Sequence, residues 1–350
     1  MLNKFTANSV LRVPIALSSK AILRLSIFVA AFLFIVGAAQ SQSMPNWSIA
    51  TKYASQKIYA GTGPSLAEFD NRLYLAYKNN DSPQNIVLWY STSTTAAFTQ
   101  LTAVSLPTGA AGSPRLGVYN NKLYLVYWSS SNTLSQINSG DGINFTQPAT
   151  ITIADSPGTL TNYTPSIIGV GTTAYLAYVG LANPSGAGYQ NVTLVATGDG
   201  TTFSNSVYLK NTSQGVTSAP YMATRQDPGG NTQLIVAWTW GSSNNPIICT
   251  GVVNGGAASC PGGVESQGQL GSMPALGLLN NNNVYAVGRS NSSSKKLWQA
   301  GSTDGNNWTT FVESGSSLND FPALALFQGR LFCVFRSGSD NYMWLQYADN

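Results

Sequence analysis

No histidine occurs anywhere in the 350 residues. Nucleophilic catalysis by serine or cysteine with an imidazole base is therefore excluded, and so is a metal held by imidazole. Charge is scarce too. Only 9% of residues are Asp, Glu, Lys or Arg, where an ordinary soluble domain carries about 25%. The formal net charge is +4, and no basic run extends beyond Lys295-Lys296, so nucleic acid is not an expected partner. Polarity comes from Asn, Ser, Thr, Gln and Gly, which suits an extracellular protein and neutral ligands. The three cysteines are too few and too scattered for a zinc site, and no cofactor is expected. Cys249 and Cys260 bracket a Gly/Ala-rich loop where a disulfide is plausible, and closing it would contribute on the order of 3 kcal/mol. Cys333 sits inside an apolar run and reads as a buried hydrophobe.

One apolar stretch stands apart. Lys4, Arg12, Lys20 and Arg24 precede Leu25 to Ala39, and Gly37-Ala38-Ala39 is followed by polar Gln40-Ser41-Gln42-Ser43. This reads as a signal peptide over residues 1–42. The competing reading is an uncleaved anchor, but a membrane span needs about 20 apolar residues. A secreted chain with no stable span after cleavage is the expectation. Asn-x-Ser/Thr sequons begin at Asn46, Asn144, Asn162, Asn191, Asn211, Asn291 and Asn307, and they matter only in a host that glycosylates.

What fills residues 45–350 is a repeat. Pro64, Pro114, Pro165, Pro220, Pro274 and Pro322 each introduce a short apolar run, a turn and a second apolar run. The second runs include Leu73-Tyr74-Leu75-Ala76-Tyr77, Leu123-Tyr124-Leu125-Val126-Tyr127 and Leu331-Phe332-Cys333-Val334-Phe335. Strand-forming units of about 50 residues predict an all-β propeller, one four-stranded antiparallel blade per unit and six blades in all. In the first blade the strands are expected near 65–69, 73–78, 85–91 and 98–104. The second runs are apolar at nearly every position because each blade packs both faces against neighbours.

Within the repeat lies a shorter motif. It reads Ser302-Thr303-Asp304-Gly305-Asn306-Asn307-Trp308, Ser139-Gly140-Asp141-Gly142-Ile143-Asn144-Phe145 and Thr197-Gly198-Asp199-Gly200-Thr201-Thr202-Phe203. Asp-Gly is a tight-turn signal, since Gly accepts positive φ and Asp bonds nearby amides. The aromatic that follows can plug the gap between sheets. The sixth unit stops at Asp349-Asn350, in the middle of this motif, while Asn46-Trp47-Ser48 supplies its missing half. Residues 47–55 are therefore predicted to form the outer strand of the last blade and to close the ring.

The Ser/Thr-x-Asp-Gly-x-x-aromatic pattern resembles the Asp-box of the sialidase superfamily, and the blade spacing is similar to that of six-bladed fucose-binding lectins. The resemblance implies that Asp141, Asp199 and Asp304 are structural turn residues remote from the ligand face. It also sets a catalytic pattern: an Arg-Ile-Pro signature, three arginines for a carboxylate, a Tyr/Glu nucleophile pair and an Asp acid. No Arg-Ile-Pro occurs here, and beyond residue 42 the glutamates are Glu68, Glu265 and Glu313.

Alternating strand direction puts the loops between strands 2 and 3 and those between blades on one face, the default ligand face of a propeller. Lys78, Trp128, Trp240, Arg289 and Arg336 fall there at or beside the ends of second strands, with Arg115 at a first strand and Asp320 in a loop. Arg72, Arg225 and Arg330 fall on the opposite face, where solvated turn residues are expected. Three readings stay open. One is a non-catalytic glycan-binding module using indoles and cations. Another is an exo-acting glycoside hydrolase of sialidase type, with Arg115, Arg289 and Arg336 as a carboxylate-binding trio, Asp320 as acid and a second carboxylate about 5–9 Å away. The third is a scaffold for protein partners, marked by a broad apolar patch.

Overall fold

The computed structural model describes residues 43–349 apart from 96, 103–109, 130–132, 155–162, 181–190, 210–214, 255–256, 259–263, 266–267 and 280–281. The proposed signal peptide, residues 1–42, lies outside them, as does Cys260. Residues 44–350 form one compact unit. Among the described residues no helix is long and apolar enough to cross a membrane.

The unit is a six-bladed β-propeller. Blade 1 runs Ser65–Phe69, Arg72–Lys78, Ile86–Ser91 and Thr99–Gln100, from the axis outward. Blade 2 is Ala111–Tyr119, Lys122–Trp128, Leu134–Ser139 and Ala149–Thr150. Blade 3 is Ser166–Val170, Thr173–Gly180, Asn191–Thr197 and Thr202–Tyr208, with Thr152–Ile153 added parallel to its outer edge. Blade 4 is Tyr221–Gln226, Thr232–Trp240 and Asn245–Asn254, with Val264–Glu265 paired to the last. Blade 5 is Ala275–Leu279, Asn283–Arg289, Lys296–Ser302 and Val312–Ser317. Blade 6 is Ala323–Phe327, Arg330–Arg336 and Tyr342–Asp349, and beside this last strand Thr51–Lys57 runs antiparallel, with Thr51 opposite Leu345. Ser48 N donates to Tyr347 O at 2.7 Å.

The second strand of each blade is where the core sits. Leu73, Tyr74, Leu75, Ala76 and Tyr77 are all buried to completion, as expected for a strand covered on both faces. Fully burying one such side chain stabilises the fold by about 1.5–3 kcal/mol. Small residues bring the innermost strands together: a Cβ on Gly117 would collide with Ile167 O, and one on Gly169 with Val118 O. Hydroxyls lace neighbouring blades at the same level. Leu116 N donates to Ser65 Oγ at 2.9 Å, and Met222 N to Ser166 Oγ at 3.1 Å.

The Asp-Gly hairpins have a common geometry. Asp304 Oδ1 accepts from Asn306 N (2.8 Å), Asn307 N (2.7 Å) and Ser302 Oγ (3.0 Å). Asp199 and Asp141 repeat the pattern. These bonds hold all three carboxyls below the usual carboxylate range. Gly142, Gly200 and Gly305 take positive φ of 72°, 79° and 80°. Phe203 is fully buried, Phe145 packs against the core between blades 1 and 2, and Trp308 Nε1 donates to Gly305 O at 2.9 Å.

One expectation is corrected here. Arg225 is not a solvated turn residue but 5% exposed. Its guanidinium donates to Asp304 O (2.6 Å) and Thr303 O (2.9 Å) of the next blade's hairpin and to Gln233 Oε1 (2.7 Å). Arg72 reaches Asp141 O at 2.8 Å, and Arg330 reaches Thr94 O at 3.4 Å. Tyr119 does the same for blade 3, its hydroxyl donating to Gly198 O at 2.6 Å. Hairpin carbonyls attract donors from the preceding blade because a tight turn leaves them without a strand partner.

Candidate functional site

Most of the polar and aromatic residues at the ends of the second strands are committed to the protein. Lys78 is 7% exposed and its ammonium lies 4.5 Å from the Tyr59 ring centroid. Trp128 is buried, with Nε1 donating to Tyr163 O at 3.2 Å. Trp240 is half-buried and its backbone bridges to Val216. Arg289 Nη1 donates to Asn319 O at 2.9 Å and its Nη2 to Gly271 O. Arg336 Nη1 meets Asp320 Oδ2 at 2.8 Å, with both side chains largely buried.

Asp320, Arg336, Arg289 and Lys295 form one electrostatic group between blades 5 and 6. Burial pushes the Asp320 carboxyl up, and Arg336, Arg289, Lys295 and the Gly61 amide oppose that shift. Desolvation draws the Arg289 guanidinium down. The structure thus brings Arg289, Asp320 and Arg336 together. Arg115 is placed elsewhere, inside the ring at the starts of the innermost strands, 2% exposed. Among the described residues no group of three or more His, Cys, Asp or Glu is placed to hold a metal. Cys249 is buried and disulfide-bonded, and Cys333 is buried and free.

A cleft of about 440 Å³ opens at the rim on the same side of the ring, between the outer strands of blades 5 and 6. Its walls include Trp47, Trp344, Ser337, Ser316 and Gln346. Both indoles are oriented through their N–H groups: Trp47 Nε1 donates to Gln299 Oε1 at 2.7 Å and Trp344 Nε1 to Asp340 Oδ1 at 3.2 Å. Asp340 is itself held by Lys52 at 3.2 Å. Each ring is only half-buried. Gln346 is 1% exposed; its Oε1 accepts from Ser316 Oγ at 2.7 Å while its Nε2 has no partner. That donor is sealed behind the cleft wall, an unmet buried group that costs stability.

None of Trp47, Trp344 and Gln346 was singled out as a ligand residue by the repeat. The cleft joins residues almost 300 positions apart, and a periodic pattern does not report contacts that occur once. The paired edge of the chain's two ends was the available signal.

No family profile matches the sequence, and no curated protein does. Solved structures do match. A protein of unknown function from Dyadobacter fermentans superposes with a TM-score of 0.62 at 11% identity, covering 86% of this chain and 99% of that one. A Hadza microbial sialidase gives 0.59 at 13% identity, over 83% of this chain and 66% of that one. The BP39L lectin from Burkholderia pseudomallei gives 0.57 at 12% identity, over 83% and 82%. The chain has the propeller fold found in sialidases and a bacterial lectin. At these identities the sialidase-type propeller is shared as a fold, and chemistry has to be argued from the site.

Proposed function

We propose that this propeller is a secreted, non-catalytic glycan-binding protein that holds a sugar in the cleft between blades 5 and 6. The observation that carries the reading is the pair of oriented, half-buried indoles of Trp47 and Trp344 on the walls of one cleft. Indole faces stack on the CH face of a pyranose, and the serine hydroxyls of the lining suit its ring hydroxyls. The low charge of the chain fits a neutral ligand. The likeness to a bacterial lectin supports the reading, and export follows from the basic and apolar leader. The three Asp-Gly hairpins are read as Asp-box turns and Thr51–Lys57 as the strand that seals the ring, which would make the chain's start part of the binding wall.

A glycan array with the exported protein tests this. Binding to at least one neutral glycan is expected, with affinity reduced about tenfold or more by Trp344→Ala and abolished by deleting residues 46–50. A silent array at high protein density, or binding indifferent to both changes, rejects it. The second reading, a sialidase-type hydrolase, rests on the raised Asp320 carboxyl beside Arg289 and Arg336. Release of 4-methylumbelliferone from a sialoside, lost in Asp320→Asn, would establish that reading instead.

A further inference from the structure

The axis of the ring holds a cavity of about 370 Å³ lined by the innermost strand of every blade. Arg115 is the one formally charged residue among the described residues that line it. Its Nη1 donates to Pro64 O at 3.1 Å, and its Nη2 lies 3.1 Å from the Met273 sulfur. The guanidinium carbon sits 5.8 Å from the Tyr221 ring centroid. These partners come from the starts of blades 1, 5 and 4, so the guanidinium crosses the axis and plugs that end of the channel. Exposure of the lining rises towards the other ends of the strands. Val118, Ile168 and Leu278 are partly exposed, and Leu326 is 41% exposed. The cavity is therefore an apolar funnel that opens on the hairpin side of the ring, away from the glycan cleft, with a cation at its floor.

That cation is poorly compensated. Among the described residues no carboxylate is paired with Arg115, its Nε has no partner, and sulfur is a weak acceptor. Arg225 shows what a satisfied buried arginine looks like in the same molecule. It donates to Asp304 O, Thr303 O and Gln233 Oε1, and its Nε reaches Asn282 O at 3.4 Å. Burial draws the Arg115 guanidinium down to about 10, which still leaves it charged at neutral pH. An isolated buried charge is retained at a cost to stability unless something of opposite sign meets it.

We propose that the axial funnel is a second ligand site, which takes a small carboxylate with an apolar body. The carboxylate accepts from Arg115 at the floor, and the apolar part lies against Ile168, Leu278 and Leu326 nearer the mouth. Guanidinium and carboxylate are matched in charge and hydrogen-bond geometry, and the lining beyond Arg115 offers mainly apolar contact.

The probe is 4-fluorobenzoate followed by ¹⁹F NMR against the full exported chain, with 4-fluorobenzamide as the neutral control. Concentration-dependent broadening is expected for the carboxylate and not for the amide. Arg115→Met should weaken it about tenfold or more, while leaving the unliganded protein at least as resistant to heat as the parent. Leu326→Glu, at the exposed rim, should also weaken it by repulsion, and it decides alone if Arg115→Met does not fold. Trp344→Ala should leave the signal unchanged, so this site and the glycan cleft fail or stand separately. Equal broadening by the amide, no broadening at millimolar probe, or indifference to the substitutions overturns the proposal.

Discussion

A carboxylate that accepts two backbone N–H groups and a hydroxyl does the work of a capping residue, and Asp304 does this in the hairpin of blade 5. Replacing it with alanine leaves two amides to solvent and frees a turn whose glycine already sits at a φ of 80°. We expect Asp304→Ala to lower stability by about 1–2 kcal/mol, seen as a shift of the urea midpoint without a change of slope. Sugar binding at the rim should be unaffected, since the hairpin lies on the other side of the ring. The Asp-Gly pairs were legible in the sequence because tight turns depend on local chemistry. The burial of Lys78, Trp128 and Arg115 was not, because a residue at the end of a strand can face the solvent, a neighbouring blade or the axis, and the repeat is silent on which.

Among larger pieces, the hairpin and the arginine that grips it form one unit. Arg225 satisfies two carbonyls across a blade boundary while 5% exposed. Arg225→Met should strand those carbonyls and cost about 2–4 kcal/mol in urea unfolding. Arg115→Met, at a residue of comparable burial, should cost nothing, since losing the bond to Pro64 O is offset by removing an uncompensated buried charge. The opposite outcomes separate an arginine that holds the fold from one that waits for a ligand. The first three strands of blade 1 are readable to within a residue or two, expected near 65–69, 73–78 and 85–91 and formed at Ser65–Phe69, Arg72–Lys78 and Ile86–Ser91. The fourth, expected near 98–104, forms among the described residues only at Thr99–Gln100. Hydrophobic runs between turn signals fix such positions locally. The arginine grip is not legible in the sequence because its acceptors are backbone carbonyls, which carry no residue identity.

For the molecule as a whole, acid should unmask two opposing contributions. Asp141, Asp199, Asp227, Asp304 and Asp340 have folded-state pKa values below the ordinary value. Their stabilisation is complete above the unfolded value of about 4 and is lost as pH falls further towards their folded values. Asp320 is raised by burial, so its ionised form weakens the fold, and that penalty is relieved as pH falls through its folded value towards the unfolded value of about 4. Melting temperature should therefore hold level or rise slightly down to about pH 4 and drop below it. A melting temperature that falls steadily well above pH 4 would contradict this assignment. The six-fold plan was legible from prolines about 50 residues apart. The rim cleft was not, since its two walls are brought together only when the first described strand lies against the last.

The hairpin grips have a direction. Arg72 of blade 1 holds blade 2, Tyr119 of blade 2 holds blade 3, Arg225 of blade 4 holds blade 5, and Arg330 of blade 6 holds blade 1. Among the described residues four of the six blade boundaries carry such a grip, and the last of these ties the sixth blade back to the first. Hydrogen exchange should then find those four boundaries well protected, and calorimetry a single transition instead of a staircase.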